Sequence, residues 1–238
     1  MAQKKLGIIG GLGPMASAQF MSLLTAMTAA QSDQDHIETI LYSRPQTPDR
    51  TAYLLGKSKN SPLPVLLETA SVLEQLGAEV LAMPCMTAYS FGHEISAAIR
   101  GTLINPITET AALLKMQGHK KIGILATDGT LQVGLFQKAL SAQELAFCVP
   151  DEKHQRLVMH LIYENVKKGQ PADLDMLEEI GRYFRGLGAD RMILGCTELS
   201  VIKQTQEIGA GYLDAMEVLA ARAIEACGYL NKVSPMAL

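Results

Sequence analysis

Two copies of an ordered pattern occur in the chain, and this repetition limits its possible folds more than any other feature. KKLGIIG begins at Lys4 and KKIGILA begins at Lys120, an offset of 120 − 4 = 116 residues. LGAEVLAMPCMTA begins at Leu76 and LGADRMILGCTEL begins at Leu187, an offset of 187 − 76 = 111 residues. The two offsets differ by 116 − 111 = 5 residues, which is the size of a loop change. The sequence therefore predicts two similar structural units in one chain.

Short apolar runs alternate along the chain with longer segments whose apolar residues recur at helical spacing. The apolar runs predict strands at residues 6–9, 37–42, 80–83, 122–126, 146–149 and 192–194. The helical spacing predicts helices at residues 15–29, 62–76, 88–99, up to about 116, from 131, 152–168, 173–187 and 213–227. Strands that are apolar throughout and alternate with helices are typical of parallel sheets covered on both faces. The predicted fold class is therefore α/β, with two similar domains, each a mainly parallel sheet flanked by helices.

The dipeptide Asn105-Pro106 is the predicted boundary between the two domains, because the alternation of strands and helices resumes after it. We assign residues 1–105 to the first domain and residues 106–209 to the second. The final helix, within about 210–238, is assigned to the first domain, which otherwise has fewer helices.

The composition is that of a globular protein. Of the 238 residues, 48% are hydrophobic and 19% are charged, and the formal net charge is −3. No cluster of lysine and arginine is longer than a pair, so we expect no nucleic-acid partner. No apolar run approaches the ~18–20 residues of a transmembrane helix, and the N-terminal apolar stretch is too short for a signal peptide. We therefore expect a cytoplasmic protein without membrane association.

Four cysteines, Cys85, Cys148, Cys196 and Cys227, lie far apart, and none forms the CxxC spacing of zinc ligands. We therefore expect no metal site, and in a reducing cytoplasm we expect free thiols rather than a disulfide. Two of the cysteines occupy equivalent positions of the repeat, since 196 − 85 = 111, and a threonine closely follows each. Because ligands of open parallel sheets bind beyond the carboxyl ends of the strands, two facing domains would place Cys85 and Cys196 on opposite walls of one cleft.

Two thiols across a cleft suit the inversion of a stereocentre without a cofactor. One cysteine, as a thiolate, removes a proton from carbon, and the other, as a thiol, returns a proton to the opposite face. Each cysteine precedes a predicted helix start, where backbone N–H groups favour a thiolate and can hold a substrate carboxylate. The alternative is that both are small buried residues without chemistry, as we expect for Cys148 and Cys227.

A glycine-rich segment, GIIGGLGP at 7–14, follows the first predicted strand. A dinucleotide-binding fingerprint requires GxGxxG, and Ala16 stands where its third glycine is needed after Gly11 and Gly13. We therefore expect no bound NAD. The segment is better interpreted as a tight turn that lets the backbone approach a ligand, with Pro14 at the first helical position.

Six motifs follow one another along most of the chain: GIIGGLGP at 7–14, PDRTA at 48–52, LGAEVLAMPCMTA at 76–88, GILATDGT at 123–130, IYENVKKG at 162–169 and LGCTEL at 194–199. Together they resemble the aspartate/glutamate racemase family, and specifically its cofactor-independent aspartate racemases. The resemblance implies two α/β domains related by pseudo-twofold symmetry, a homodimer and no cofactor. It also implies racemisation of a small acidic amino acid, aspartate or glutamate, at its α-carbon without pyridoxal phosphate.

The resemblance implies roles for the matching positions. Cys85 and Cys196 would be the paired acid and base. Thr87 and Thr197, together with backbone N–H groups, would hold the α-carboxylate of the substrate.

Four further positions complete the site that the resemblance implies. Arg50 in PDRTA and Lys167 in IYENVKKG would bind the side-chain carboxylate of an acidic substrate, for which guanidinium offers a bidentate fork. Thr127 and Thr130 in GILATDGT would line the wall of the second domain.

The chain departs from the family pattern beside Cys85, where it reads PCMTAY in place of the usual PCNTAH. Met86 replaces an asparagine whose amide typically contacts the substrate, and Tyr89 replaces a histidine. Methionine cannot donate a hydrogen bond, so one donor to the substrate is missing at Met86. Met15 stands where a glutamate is common.

Three hypotheses follow from these departures. The first is a racemase of aspartate or glutamate, and the second is a racemase or isomerase of the same superfamily that acts on another carboxylate. The third is a non-catalytic protein that binds a carboxylate. The presence of both Cys85 and Cys196 argues against the third hypothesis, and the presence of Arg50 and Lys167 argues for an acidic substrate.

Overall fold

The computed structural model describes residues 3–238 and contains two parallel sheets of four strands each. The first sheet consists of β1 (Leu6–Gly10), β2 (Thr39–Ser43), β3 (Val80–Ala82) and β4 (Thr102–Leu103), in the order β2-β1-β3-β4. The second consists of β5 (Lys121–Leu125), β6 (Ala146–Cys148), β7 (Arg191–Leu194) and β8 (Tyr212–Asp214), in the order β6-β5-β7-β8. The two orders are equivalent, which confirms the predicted fold class of two similar α/β units.

Helices connect and flank the strands of both sheets. They are α1 (Pro14–Met27), α2 (Arg50–Leu54), α3 (Leu63–Gln75), α4 (Gly92–Ala98), α5 (Pro106–Met116), α6 (Asp128–Val133), α7 (Leu135–Ala142), α8 (Glu152–His160), α9 (Leu174–Gly186), α10 (Thr197–Thr205) and α11 (Ala215–Ala226). Short 3₁₀ turns occur at Asp33–Asp35, Met86–Phe91, Val166–Lys168 and Pro235–Ala237, and a π-helical turn at Leu161–Asn165. Within the described residues, no helix is long and apolar enough to cross a membrane.

The repeated strand motif contains a glycine at the same position in both copies, and side-chain packing explains it. Gly7 in β1 and Gly123 in β5 are 123 − 7 = 116 residues apart, the offset of the strand repeat. A Cβ atom at Gly7 would lie 2.5 Å from Leu81 Cδ2, and one at Gly123 would lie 2.8 Å from Phe184 Cδ1. Only glycine leaves room there for the side chains that pack on each central strand.

Helix starts follow signals that can be read from the sequence. Pro14 is the first residue of α1, and Pro106 is the first residue of α5, where a missing N–H costs nothing. The side chain of Asn105 accepts hydrogen bonds from the N–H groups of Ile107 and Thr108 and so caps α5.

Several predicted boundaries are wrong, and each has a local cause. The predicted last helix begins too early, because residues 212–214 form β8 beside β7, and Asp214 caps α11. Pairing with a buried neighbour strand overrides the helical spacing there. The predicted helix 88–99 is a 3₁₀ turn over Met86–Phe91 followed by α4, and the predicted helix 152–168 passes through π and 3₁₀ turns after His160. Strand β4 and helix α2 are too short to produce a periodic pattern.

The final helix, α11, packs against α1, α5 and β3, so it lies on the first sheet. One apolar core runs through residues of both sheets, including Ile8 and Leu81 of the first and Ile124 and Ile193 of the second. A second core cluster lies around α8 and α9. The domain bounds given above stay a prediction, because the larger core is continuous between the two halves.

Asp214 at the end of β8 is a fully buried carboxylic acid. Its Oδ1 accepts hydrogen bonds from Ser200 Oγ at 2.6 Å and from the Met216 N–H at 2.8 Å, whereas Oδ2 has no partner among the described residues. Burial raises the pKa of Asp214 to about 7, and the nearby negative charge of Glu217 adds to the rise.

This raised pKa predicts a pH dependence of stability. The unfolded chain loses the Asp214 proton near its ordinary pKa of 3.8, whereas the folded protein keeps it until about pH 7. The folded state thus binds more protons in this interval, so the contribution of Asp214 to the free energy of unfolding falls as the pH rises through it. In urea denaturation from pH 4 to 8, the free energy of unfolding should fall with pH relative to that of Asp214→Asn. Parallel curves for the two proteins would contradict the assignment.

Candidate active site

The carboxyl ends of β3 and β7 bring two cysteines to one inner cavity. Cys85 follows β3 and Cys196 follows β7, and both are free, buried thiols, 7% and 6% exposed. The cavity measures about 20 Å³ and is lined by Leu12, Asp49, Arg50, Thr51, Cys85, Met86, Thr87, Thr127, Tyr163, Lys167, Cys196, Thr197 and Glu198. The predicted meeting of the two strand-end cysteines is therefore present in the structure.

An outer cavity of about 370 Å³ adjoins the inner one. The turn of GIIGGLGP and the start of α1 line it, as the sequence predicts for a ligand-facing turn. The two cavities share Leu12, Asp49, Arg50, Lys167 and Glu198, so these residues separate the cysteines from the entrance. Because the inner cavity holds little more than one water molecule, the structure is a closed state that must widen to admit a substrate.

Arg50, the first residue of α2, is buried beside Cys85. Its guanidinium donates hydrogen bonds to the backbone carbonyl groups of Leu12, Thr47 and Pro48, which hold it at the cavity. Burial lowers the pKa of Arg50, but the nearby Cys85 and the carboxylates of Asp49 and Glu198 outweigh this, and the net pKa is raised. Arg50 is thus a fixed cation facing the first thiol.

Cys196 faces a carboxylate instead of a cation. Its Sγ donates a hydrogen bond to Glu198 Oε2 at 2.9 Å, and Lys167 Nζ lies 3.4 Å from Glu198 Oε1. Burial raises the pKa of Cys196 well above its usual value, the charge of Glu198 adds to this, and Lys167 opposes it. Burial alone would lower the pKa of Lys167, but Glu198 and the nearby thiols raise it overall. Lys167 also lies over the ring of Tyr163, 4.8 Å from its centroid.

Three buried threonines form a hydroxyl cluster between the two halves. Thr87 Oγ1 lies 2.8 Å from Thr130 Oγ1 and 3.0 Å from Thr127 Oγ1, and the last two hydroxyls are 3.0 Å apart. Thr51 Oγ1 donates a weaker bond to Thr127 Oγ1 at 3.4 Å. Each hydroxyl donates one proton and can accept another, so the three can bond to one another. The cluster thereby joins the strand-end turn of the first sheet to α6 of the second.

The two residues that depart from the family pattern have different surroundings. Met86 begins the 3₁₀ turn after Cys85, is 2% exposed and lines the inner cavity. Tyr89 is not among the residues that line the inner cavity, and its hydroxyl accepts a hydrogen bond from the Met83 N–H at 3.2 Å. Burial raises the pKa of Tyr89, so this hydroxyl stays neutral and supports the backbone turn that presents Cys85.

Of the predicted site residues, all but Thr130 line the inner cavity, and Thr130 lies directly behind Thr87. Their roles toward a substrate stay a prediction. The cavity residues that the sequence reasoning missed are Leu12, Asp49, Thr51, Tyr163 and Glu198. All five lie within motifs already singled out, but nothing in the spacing showed that their side chains turn inward. For Tyr163 a weak signal exists, because it stands four residues before Lys167 on one helical face.

Several proteins to which this chain is similar are racemases. Picrophilus torridus aspartate racemase, whose structure is solved, is 32% identical, with 96% of each chain covered and a TM-score of 0.83. A broad specificity amino-acid racemase of Bacillus subtilis is 25% identical over 208 residues, which are 83% of this chain and 86% of that protein. The glutamate racemase of Aquifex pyrophilus is 27% identical over 156 residues, 62% of this chain and 57% of that protein. Fold and relatives thus place the protein in the class of racemases.

The model of the Asp/Glu/Hydantoin racemase family matches residues 9–223. The chain belongs to this family, as its motifs indicated. The matched segment includes both strand-end cysteines and the residues that surround them.

The hydroxyl cluster predicts energetic coupling between the two halves of the protein. Thr87→Val and Thr130→Val each remove one hydroxyl without changing side-chain shape, and each should destabilise the protein by about 1 kcal/mol. The double variant should lose less than the sum, because both substitutions break the same bond. Urea denaturation of the four proteins measures the coupling. Thr25→Val on the exposed face of α1 is the matched control, and strictly additive losses would contradict the bond.

Proposed function

We propose that the protein racemises an acidic amino acid, aspartate or glutamate, by moving protons between Cys85, Cys196 and the α-carbon, without pyridoxal phosphate. One observation carries the proposal: two free thiols line the same closed cavity, and two cations, Arg50 and Lys167, line it with them. Binding alone has no use for two thiols on one cavity.

The chemistry follows from the placement of the thiols at two strand ends. One thiolate takes the α-proton and becomes a thiol, the C–H electron pair stays on the substrate as a carbanion, and the opposite thiol gives its proton to the other face. The two cysteines exchange protonation states in each turnover, and the configuration of the α-carbon is inverted.

Stabilisation of the carbanion falls to donors aimed at the α-carboxylate, because the α-proton is a very weak acid. We assign this role to Thr87 and Thr197 and to the backbone N–H groups of the turns that begin after the two cysteines. The low polarity of a closed cavity strengthens these interactions. Met86 supplies no donor, so the remaining groups carry the stabilisation.

Arg50 and Lys167 support an acidic substrate, because Arg50 is a buried cation, the Lys167 side chain is 27% exposed, and both lie on the wall between the two cavities. We propose aspartate ahead of glutamate, since the Picrophilus torridus relative, named an aspartate racemase, matches nearly the whole chain.

The central test is hydrogen exchange at the α-carbon. In D₂O and without pyridoxal phosphate, the protein should incorporate deuterium into both enantiomers of aspartate while racemising them, as followed by NMR and chiral chromatography. Cys85→Ser and Cys196→Ser should each lower racemisation by at least about 10³-fold, because a hydroxyl is a far weaker acid than a thiol. Cys148→Ser, at a strand of the second sheet, is the matched control and should keep activity. Full racemisation by either single variant would contradict the two-base proposal.

The charge of Lys167 predicts selectivity for acidic substrates. Lys167→Met should raise KM for aspartate by about 10-fold or more, because the side-chain carboxylate loses a cation in a poorly hydrated place. Lys168→Met is the matched control, since Lys168 is exposed and pairs only with Glu164. The same assays should include neutral amino acids, and equal activity of the parent protein on neutral and acidic substrates would contradict the assignment of Lys167.

A further inference from the structure

We propose that Glu198 is a positioning residue that keeps Cys196 protonated in the free protein, which leaves Cys85 as the base for the first proton transfer. This inference rests on the proposed function, since it assigns the starting states of the two thiols. It makes the two halves of the site unequal before any substrate binds.

The geometry around Glu198 is that of a fixed acceptor. Oε2 accepts the Cys196 thiol proton at 2.9 Å and a weaker bond from Thr197 Oγ1 at 3.4 Å, while Oε1 faces Lys167 Nζ. The residue is 6% exposed. A Cβ atom at Gly13 would lie only 3.2 Å from Oε1, so the turn before α1 closes tightly over the carboxylate. Glu198 therefore has little freedom to leave Cys196.

Charged and titratable groups reach Cys196 from several elements. Glu198 comes from α10, Lys167 and Tyr163 come from the turns after α8, and Cys85 comes from the end of β3. Arg50 and Asp49 reach the same cavity at the start of α2.

Glu198 is the group that directly accepts the Cys196 proton, and the nearest cation, Lys167, is shared with it. A thiolate at Cys196 would therefore have no proton to donate to Glu198, and it would stand beside a carboxylate of the same sign.

Cys85 has the opposite surroundings. The buried Arg50 guanidinium lines the same cavity as this thiol, and its positive charge faces the sulfur atom. A racemase that uses two bases needs one thiol and one thiolate at the start of each turnover. Arg50 beside Cys85 and Glu198 beside Cys196 place opposite charges next to the two sulfur atoms.

A consequence concerns the second half of the reaction cycle. One turnover leaves Cys85 protonated and Cys196 ionised, and Glu198 disfavours this state, so the free protein returns to its starting form by proton exchange. Since the equilibrium constant of a racemisation is one, kcat/KM must stay equal in both directions. Any effect of Glu198 on kcat/KM must therefore be the same factor in both directions.

The test measures the ionisation of Cys196 directly. The ultraviolet absorbance of thiolates is followed during a pH titration of the protein and of Cys196→Ser, and their difference reports Cys196 alone. The same pair is measured in the Glu198→Gln background. Removal of the carboxylate should move the Cys196 titration to lower pH by about one unit or more. Glu217→Gln is the matched control, because Glu217 pairs with Lys203 at 2.6 Å and lies away from the thiols.

A second variant has the opposite expected sign. Lys167→Met removes the cation near Cys196 and should move its titration to higher pH, while Lys168→Met should leave it unchanged. Circular dichroism verifies that each variant is folded. An unchanged Cys196 titration in Glu198→Gln, or shifts of the same sign in Glu198→Gln and Lys167→Met, would overturn the proposal. The titration requires no turnover, so its outcome does not depend on the outcome of the racemase assay.

Discussion

The contact between the carboxyl ends of the two sheets is the constraint on which the rest of the structure depends. Each strand-end cysteine belongs to its own sheet, and neither could act with the other if the halves moved apart. A continuous apolar core and the hydroxyl cluster of Thr87, Thr127 and Thr130 hold these ends together. Polar groups in such a dry interface are costly unless they bond one another, so the cluster also specifies how the halves fit.

Charge, rather than backbone, distinguishes the two halves. Gly7 and Gly123 show that the same strand packing is used twice, and the order of strands is repeated. The partners of the two thiols are not repeated, because Arg50 faces Cys85 and Glu198 faces Cys196. A repeated backbone thus carries an asymmetric arrangement of charges in a cavity where solvent screens them little.

Much of the fold could be predicted from the sequence, because the repeat and the apolar strands are local signals. That Cys85 and Cys196 line one cavity followed from the rule that ligands bind beyond the carboxyl ends of parallel strands, applied to two facing domains. Short elements such as β8 could not be predicted, since tertiary pairing decides three residues that also fit a helical pattern. The role of Glu198 was hidden for a related reason. Its motif, LGCTEL, was recognised, but only the folded chain shows that its carboxylate turns back to Cys196.

The small inner cavity has a kinetic meaning. The thiols line an inner space of about 20 Å³. The wall between this space and the larger outer cavity includes Arg50, Lys167 and Glu198. In the proposed reaction, entry of the amino acid and release of the product each require these residues to move. The frequency of this movement sets an upper limit on turnover, however fast the proton transfers are.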